Sequence, residues 1–401
     1  MRIRDIRKKI KHEKRHRRVD VVVFLVLITL LIISCIMVYS SSMIGNKYGV
    51  FTGGIPVAPN YFFIRQGIWS LISLVAFFTF AVLVPFEKLK EKNLMKITPL
   101  IIWTLLFLPF VFGSINGSYS WIRIGGFSLQ PSMIAQIFII VYMSFILETR
   151  KDSLRRVCTT SELVSIFAIP AVTVAIIFLQ RDTGVMLITI MVIAIMTFCS
   201  NMHATNIKRL IKVSVVAAIV ALSLLFIRGL FTSGNDYRTN RLKVFLNPFN
   251  NDLKDSADQV INSFIAFGNG GLFGRGLGNS IQKLGYLPEA HTDFILAIIA
   301  EEMGYIGVIA VCGLIITLIA KSIYAGTKTN TTFSSTYAIG FASLLTVQFI
   351  VNVGGVSASI PMTGVTLPFL SNGGSSLVVL SAGLGIVTNI LAHVKYIRAK
   401  D

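Results

Sequence analysis

Apolar runs of about twenty residues recur along this chain from Val21 to its end, each long enough to cross a hydrocarbon core of roughly 30 Å. In lipid, backbone N–H and C=O groups must be satisfied within the spanning structure, which leaves helices or closed barrels. Runs of this length select helices. Ten spans are expected, at about 20–40, 64–84, 97–113, 131–148, 161–179, 184–200, 210–231, 291–320, 335–353 and 375–395. The eighth is longer than a membrane needs, so its first turns are expected outside the hydrocarbon or along a cavity. Composition points the same way. The chain is 54% hydrophobic and 14% charged, against roughly 25% charged in soluble domains, which excludes a soluble globule or a disordered chain. The expected fold class is an all-α polytopic membrane protein, with ten transmembrane helices and one large extracytoplasmic loop between helices 7 and 8.

Orientation follows from the basic residues, which favour the cytoplasmic side of short loops. With the N-terminus inside, that face receives 26 of the 37 Lys and Arg. The implied organisation is a basic cytoplasmic segment (1–19), helices 1–7 (20–231), an extracytoplasmic loop (232–290), helices 8–10 (291–395) and a cytoplasmic C-terminus (396–401). The net charge of +19 is therefore read as a positive-inside anchor with affinity for anionic lipid, and no nucleic-acid partner is expected. The first span is too long for a signal-peptide core and lacks a small-residue cleavage site, so it reads as a retained helix. Four cysteines, three of them inside apolar runs, give no disulfide framework.

Polar residues that carry chemistry gather in four segments, all placed on the extracytoplasmic face: GSYSWIRIGGFSLQPS (117–132), QRDTG (180–184), QKLGYLPEAHTDFILAIIAEEMG (282–304) and SIPMTGVTLPFLSNGGSS (359–376). Acidic residues at a membrane span are costly and default to function. Glu289, Asp293, Glu301 and Glu302 are four of only 18 acids. Asp293 sits where a helix dipole favours an anion, and Glu301, eight residues on, would return to within about 80° of the same helix face. The bland alternatives are a helix cap for Asp293 and structural ion pairs for the glutamates. His291 is a candidate ligand or base, but no second external His or Cys builds a metal site. Trp121 and Arg123 suit sugar stacking and phosphate pairing, or else a membrane-belt tryptophan beside a solvated cation. Arg181–Asp182 could be a local ion pair in a turn. The glycines of GNGGLFGRGLG could cradle a pyrophosphate or simply permit close packing. Ser375 opens the last span as a cap or as an anion-facing helix N-terminus.

These four segments, in this order, resemble the SEDS family of bacterial cell-wall proteins, which includes FtsW, RodA and SpoVE. LPEAHTDF followed by AEEMG carries most of the resemblance, with WIRIGGFSLQPS and TGVTLPFLSNGGSS in support, and LPEAHTDF looks most like the FtsW branch. The chain departs from the family pattern at Met133, where QPSE is common, at Arg181-Asp182-Thr183, where QPDLG is common, and at Asn372, where a tyrosine is common. The resemblance implies a ten-span peptidoglycan glycosyltransferase that polymerises lipid II on the outer face of the cytoplasmic membrane, in division or in elongation and cell shape. It implies a class B penicillin-binding protein transpeptidase as partner, other divisome or elongasome membrane proteins around it, and lipid II with the nascent glycan strand as substrates. The family's essential aspartate falls on Asp293, its loop tryptophan and arginine on Trp121 and Arg123, and its LPE glutamate on Glu289. The implied chemistry needs a base for an acceptor hydroxyl and donors for a leaving pyrophosphate. Asp293 is the expected base. Arg123, Arg238, Arg241 and Lys283 are the expected pyrophosphate partners, and Glu289, His291, Asp182, Glu301 and Ser375 are further expected substrate-binding residues. No cofactor is called for, although a divalent cation such as Mg or Mn could share the leaving group. The rival readings are a lipid II flippase, which would favour midplane polar residues and inverted repeats, and a non-catalytic scaffold for cell-wall enzymes.

Overall fold

A chain this apolar must satisfy its backbone within helices, and the computed structural model shows how it does so. It describes residues 19–114, 117–124, 127–216, 244–249 and 254–398. The helices are α1 (Val21–Lys47), α2 (Tyr61–Phe78), α3 (Lys92–Phe107), α4 (Pro131–Thr149), α5 (Thr160–Leu179), α6 (Thr183–Cys199), α7 (Lys254–Gly270), α8 (Ile295–Lys328), α9 (Thr332–Val356) and α10 (Gly374–Arg398). All but α6 and α7 belong to helical stretches long and apolar enough to span a bilayer, and α6 is an apolar helix of 17 residues. The protein is a multi-pass membrane protein. The expected seventh span falls largely outside the described residues, where only 204–216 is seen, as helix.

Helix starts follow local chemistry. Asp20 caps α1 by accepting from the Val23 N–H, and Thr159 and Glu162 cap α5 reciprocally. Pro131 occupies the first turn of α4, where its missing N–H costs nothing. Past Phe78, α2 widens into a π-type turn over Thr79–Leu83. Asn389 of α10 donates to the Phe80 and Val84 carbonyls there, at 3.2 and 2.9 Å. Lipid offers no hydrophobic force between helices, so close approach matters more. α4, α9 and α10 are mostly buried and form the middle of the bundle, while α2, α3 and α5 present more of their surface to lipid.

Ion pairs tie the end of the bundle where α1 begins. Asp20 meets Lys395 at 2.7 Å and Lys321 at 3.6 Å, joining α1, α10 and α8. Lys90 meets Glu148 at 3.1 Å.

Two local features differ from the sequence reading. Ile122–Ile124 (β1) and Phe127–Leu129 (β2) pair antiparallel as the two strands of a β-hairpin, where a loop carrying Trp121 and Arg123 was expected. Alternating IRI and FSL around Gly-Gly is a hairpin pattern. And α8 starts at Ile295, not 291, then breaks at Gly304, whose φ is 69°. The stretch Ile295–Glu302 is buried on all sides, so the surplus length of this run lies in a cap above the span.

Candidate functional site

The LPEAHTDF segment folds as a tight turn entering α8. Glu289 adopts φ 56°, and its carbonyl accepts from the N–H groups of Thr292 and Phe294 at 3.1 and 3.3 Å. The Thr292 hydroxyl donates to the Glu289 carboxylate at 2.7 Å. Asp293, half-buried, therefore stands on a turn just before the helix. The helical-face relation expected between Asp293 and Glu301 does not hold, because only the latter is helical.

Three successive carbonyls of this turn are gripped from α9 and the 359–376 segment. Asn372 N–H donates to His291 O at 3.0 Å, the Ser371 hydroxyl to Thr292 O at 2.6 Å, and Asn352 Nδ2 to Asp293 O at 2.9 Å. Ser371 itself accepts from Leu367 N–H, and Asn352 donates again to Val365 O. The backbone of Asp293 is thus held through main-chain oxygens. Sequence reading missed Asn352 and Ser371. A buried amide inside the apolar run of α9 was the available signal.

His291 is buried between the rings of Phe51 and Phe62, with centroids 4.5 and 4.6 Å away. Burial lowers its pKa to about 4 against the opposing pull of Glu289, so the ring is neutral. It is packed into the wall beneath the turn rather than presented as a ligand.

The other two segments join the same region. Tyr119 N–H donates to Gln180 O at 2.8 Å. Gln130 Nε2 donates to one oxygen of Asp182 at 2.9 Å, and Val185 N–H to the other at 3.2 Å. Asp182 is thereby the cap of α6 and a tie to the hairpin. Gln130 N–H donates to the buried Ser375 hydroxyl at 3.1 Å, three residues beyond the Asn372 that holds His291. A methyl group on Gly184 would lie 2.9 Å from Thr363 O, so the QRDTG turn abuts the 359–376 segment too. All four segments meet at one end of the bundle. Trp121 is half-buried and Arg123 exposed on the hairpin; β alternation sends Arg123 away from the buried Ile122. Arg181 lies over the Tyr119 ring at 5.9 Å.

Two expected ligands are placed elsewhere. Glu301 is fully buried and accepts from the Ser280 hydroxyl, from Ile281 and Gln282 N–H at 3.2 Å, and from Asn269. Lys283 is sealed against Glu302 at 2.7 Å, with Ser40 of α1 bonded to both. Burying these charges is tolerable only because each is paired and hydrogen-bonded. Both side chains are occupied by structure: they join the cap, α8 and α1, and offer a pyrophosphate nothing. Arg238 and Arg241 lie outside the described residues. The glycine-rich stretch is packing rather than a phosphate cradle: added methyl groups on Gly270 and Gly274 would overlap the Ala300 and Glu302 carbonyls of α8. Among the described residues no three His, Cys, Asp or Glu side chains gather as a metal site. A cavity of about 200 Å³, lined by Lys151, Asn201, Asn330 and Thr336 among others, opens at the opposite end of the bundle and takes no part in this constellation.

The chain has relatives over nearly its whole length. A family model described as "Cell cycle protein", FTSW_RODA_SPOVE, matches residues 20–396. The "Probable peptidoglycan glycosyltransferase FtsW" of Bacillus subtilis (strain 168) is 37% identical over 366 residues, covering 90% of this chain and 87% of that protein. The protein of the same name from Geobacter sp. (strain M18) is 34% identical, covering 94% and 99%. Among solved structures, a chain from "Structural coordination of polymerization and crosslinking by a peptidoglycan synthase complex" superposes with TM-score 0.66 at 22% identity, covering 94% and 98%. The rod shape determining protein RodA of Thermus thermophilus superposes with TM-score 0.62 at 23% identity, covering 94% and 98%. With its length matched almost throughout and its four polar segments folded onto one end of a helical bundle, the chain belongs to the FtsW/RodA/SpoVE family.

Proposed function

We propose that this protein is a peptidoglycan glycosyltransferase that polymerises lipid II, with Asp293 as its general base. One observation carries the assignment of the base: a half-buried carboxylate on a turn whose three carbonyls are clamped by α9 and the 359–376 segment, within a family whose named relatives are glycosyltransferases. The clamp fixes the backbone that carries this carboxylate, which supports the reading because a general base must be held within hydrogen-bond reach of the proton it takes.

In the reaction, a hydroxyl oxygen of the acceptor sugar attacks the anomeric carbon of the donor from the side opposite its pyrophosphate. The new C–O bond forms as the bond to undecaprenyl pyrophosphate breaks, the leaving group keeps that electron pair, and the hydroxyl proton passes to Asp293. Configuration inverts in one displacement. Exposed Arg123 on the hairpin would neutralise the departing pyrophosphate, joined by Arg238 and Arg241 of the loop, and half-buried Trp121 gives a sugar ring an apolar face. The basic segments favour both termini in the cytoplasm, so the site opens on the outer face, where a class B penicillin-binding transpeptidase would receive the glycan strand, at the division septum in the FtsW-like reading.

Asp293→Asn keeps the size and the main-chain clamp, so it is expected to purify as a folded membrane protein while losing about 10²–10⁴-fold in lipid II polymerisation. Glycan chains resolved on gels, with the partner transpeptidase present, are the readout. Polymerisation near the wild-type rate would reject Asp293 as the base.

A further inference from the structure

The break in α8 is filled by the chain's own glycine-rich segment, whose main chain bonds to the groups freed there. Tyr305 and Ile306 N–H donate to the carbonyls of Gly271 and Leu272 at 3.0 and 3.3 Å. In return, Arg275 and Gly276 N–H donate to the Glu301 and Glu302 carbonyls at 2.9 and 3.0 Å, and Gly274 N–H to Gly270 O at 2.8 Å. Gly304 at φ 69° lets the helix open, and a methyl group there would overlap Gly274 N. Irregular backbone is tolerated at membrane depth where its polar groups are satisfied internally, as the Gly271 and Leu272 carbonyls and the Gly274, Arg275 and Gly276 N–H groups are here.

Its side chains turn outward. Phe273 is 80% exposed, and Leu272 and Leu277 are exposed beside it. They continue the face of α8 just past the break, where Tyr305, Ile306 and Ile309 are also exposed. Depth follows from α1. Asp20 is tied to Lys321 and Lys395 at one end, and Ser40 is tied to Glu302 at the other. About twenty residues separate them, a rise of about 30 Å, which matches the hydrocarbon thickness. Glu302, and the loop bonded to it, therefore sit at the rim of the hydrocarbon on the side of Asp293. Arg275 keeps its side chain 40% exposed, with one guanidinium nitrogen 3.9 Å from Glu301, as a cation does at an interface while apolar neighbours go deeper.

We infer that residues 271–277 are a membrane-dipping loop whose Leu272, Phe273 and Leu277 side chains dock into the acyl chains of the leaflet on the site side, fixing the height of the cap above the bilayer. This needs no assumption about the reaction. The loop differs from an ordinary solvated turn in spending four of its main-chain groups on α8 while showing hydrocarbon outward.

The test uses the full chain in lipid nanodiscs, with Cys35, Cys158, Cys199 and Cys312 replaced by alanine and a spin label placed at Phe273→Cys or Leu277→Cys. A label at Asp258→Cys, on the exposed side of α7, is the water-facing reference. Collision with dissolved oxygen relative to a water-soluble nickel chelate is expected to be several-fold higher at 273 and 277 than at 258. A ratio equal to that at 258 would place the loop in water. Shielding from both colliders would show a protein cover, whether residues 217–243, a second copy or a partner. Either result overturns the inference. Phe273→Trp keeps an aromatic ring in place should labelling disturb the fold. Lipids brominated along the acyl chain should quench it beyond the background of Trp69, Trp103 and Trp121, and no added quenching would count equally against lipid docking.

Discussion

His291 and Asp293 stand two residues apart and meet opposite environments. The imidazole is enclosed by Phe51 and Phe62 and stays neutral because burial disfavours its charged form. Its folded pKa lies near 4 against 6.5 for the free group, so the unfolded chain binds the proton first as pH falls. Stability is then fully present above pH 6.5 and lost progressively toward pH 4, by at most about 3 kcal/mol for this one group. His291→Phe keeps a ring between the two phenylalanines and removes the titration. The wild-type melting temperature in detergent is expected to fall between pH 6.5 and 4 more steeply than that of His291→Phe; equal slopes would exclude His291 as the cause. Asp293 stands out in the sequence because a carboxylate at the mouth of an apolar run is costly, and the structure sets it on the turn entering α8. The anchors of its backbone are harder to read: an amide inside the apolar run of α9 marks Asn352, but Asn352 and Ser371 donate to main-chain carbonyls, and a carbonyl has no residue identity to search for. Lys283 and Glu301 misled for the converse reason, since a charge serving structure and a charge serving substrate look alike until burial and partners are known.

At the scale of elements, most helix ends fell within a few residues of the apolar runs, because lipid leaves the backbone few alternatives. The hairpin and the break in α8 escaped that logic. The break depends on Gly304 and on tertiary contact, and is intelligible only once Gly270–Gly276 lies against it. Gly304→Ala would force a side chain into left-handed backbone at about 1–3 kcal/mol and drive its methyl group against the main chain of Leu272 and Gly274. A markedly lower melting temperature and poorer yield are expected. Gly313→Ala on the same helix meets nothing within 4 Å and should melt at or slightly above the wild-type temperature, because alanine is the better helix former. Equal melting of the two variants would mean that the break does not depend on Gly304.

At the scale of the whole molecule, distant parts of the sequence are joined at both ends of α1. Asp20 is almost fully shielded. Burial raises its pKa, but the Lys395 hydrogen bond, the Val23 N–H and Lys321 together pull it below its ordinary 3.8. A carboxylate depressed in this way contributes stability above its unfolded pKa, which is lost as pH falls through the folded value. Asp20→Asn should therefore lower the melting temperature at neutral pH, by an amount equivalent to about 1 kcal/mol with the lysines free to reach water. The difference from wild type should close below pH 4, and a difference independent of pH would show that shape rather than charge matters at this position. At the other end of the bundle, α9 and the last loop grip residues 291–293 by their peptide oxygens, which every residue type carries. The mould therefore survives an exchange of letters inside it. With Asp293 as the proposed base, an Asp293→Asn twin would be a decoy, cast in the same shape and joining donor to acceptor so slowly that the stalled pair is the form in which both sugars could be seen in place.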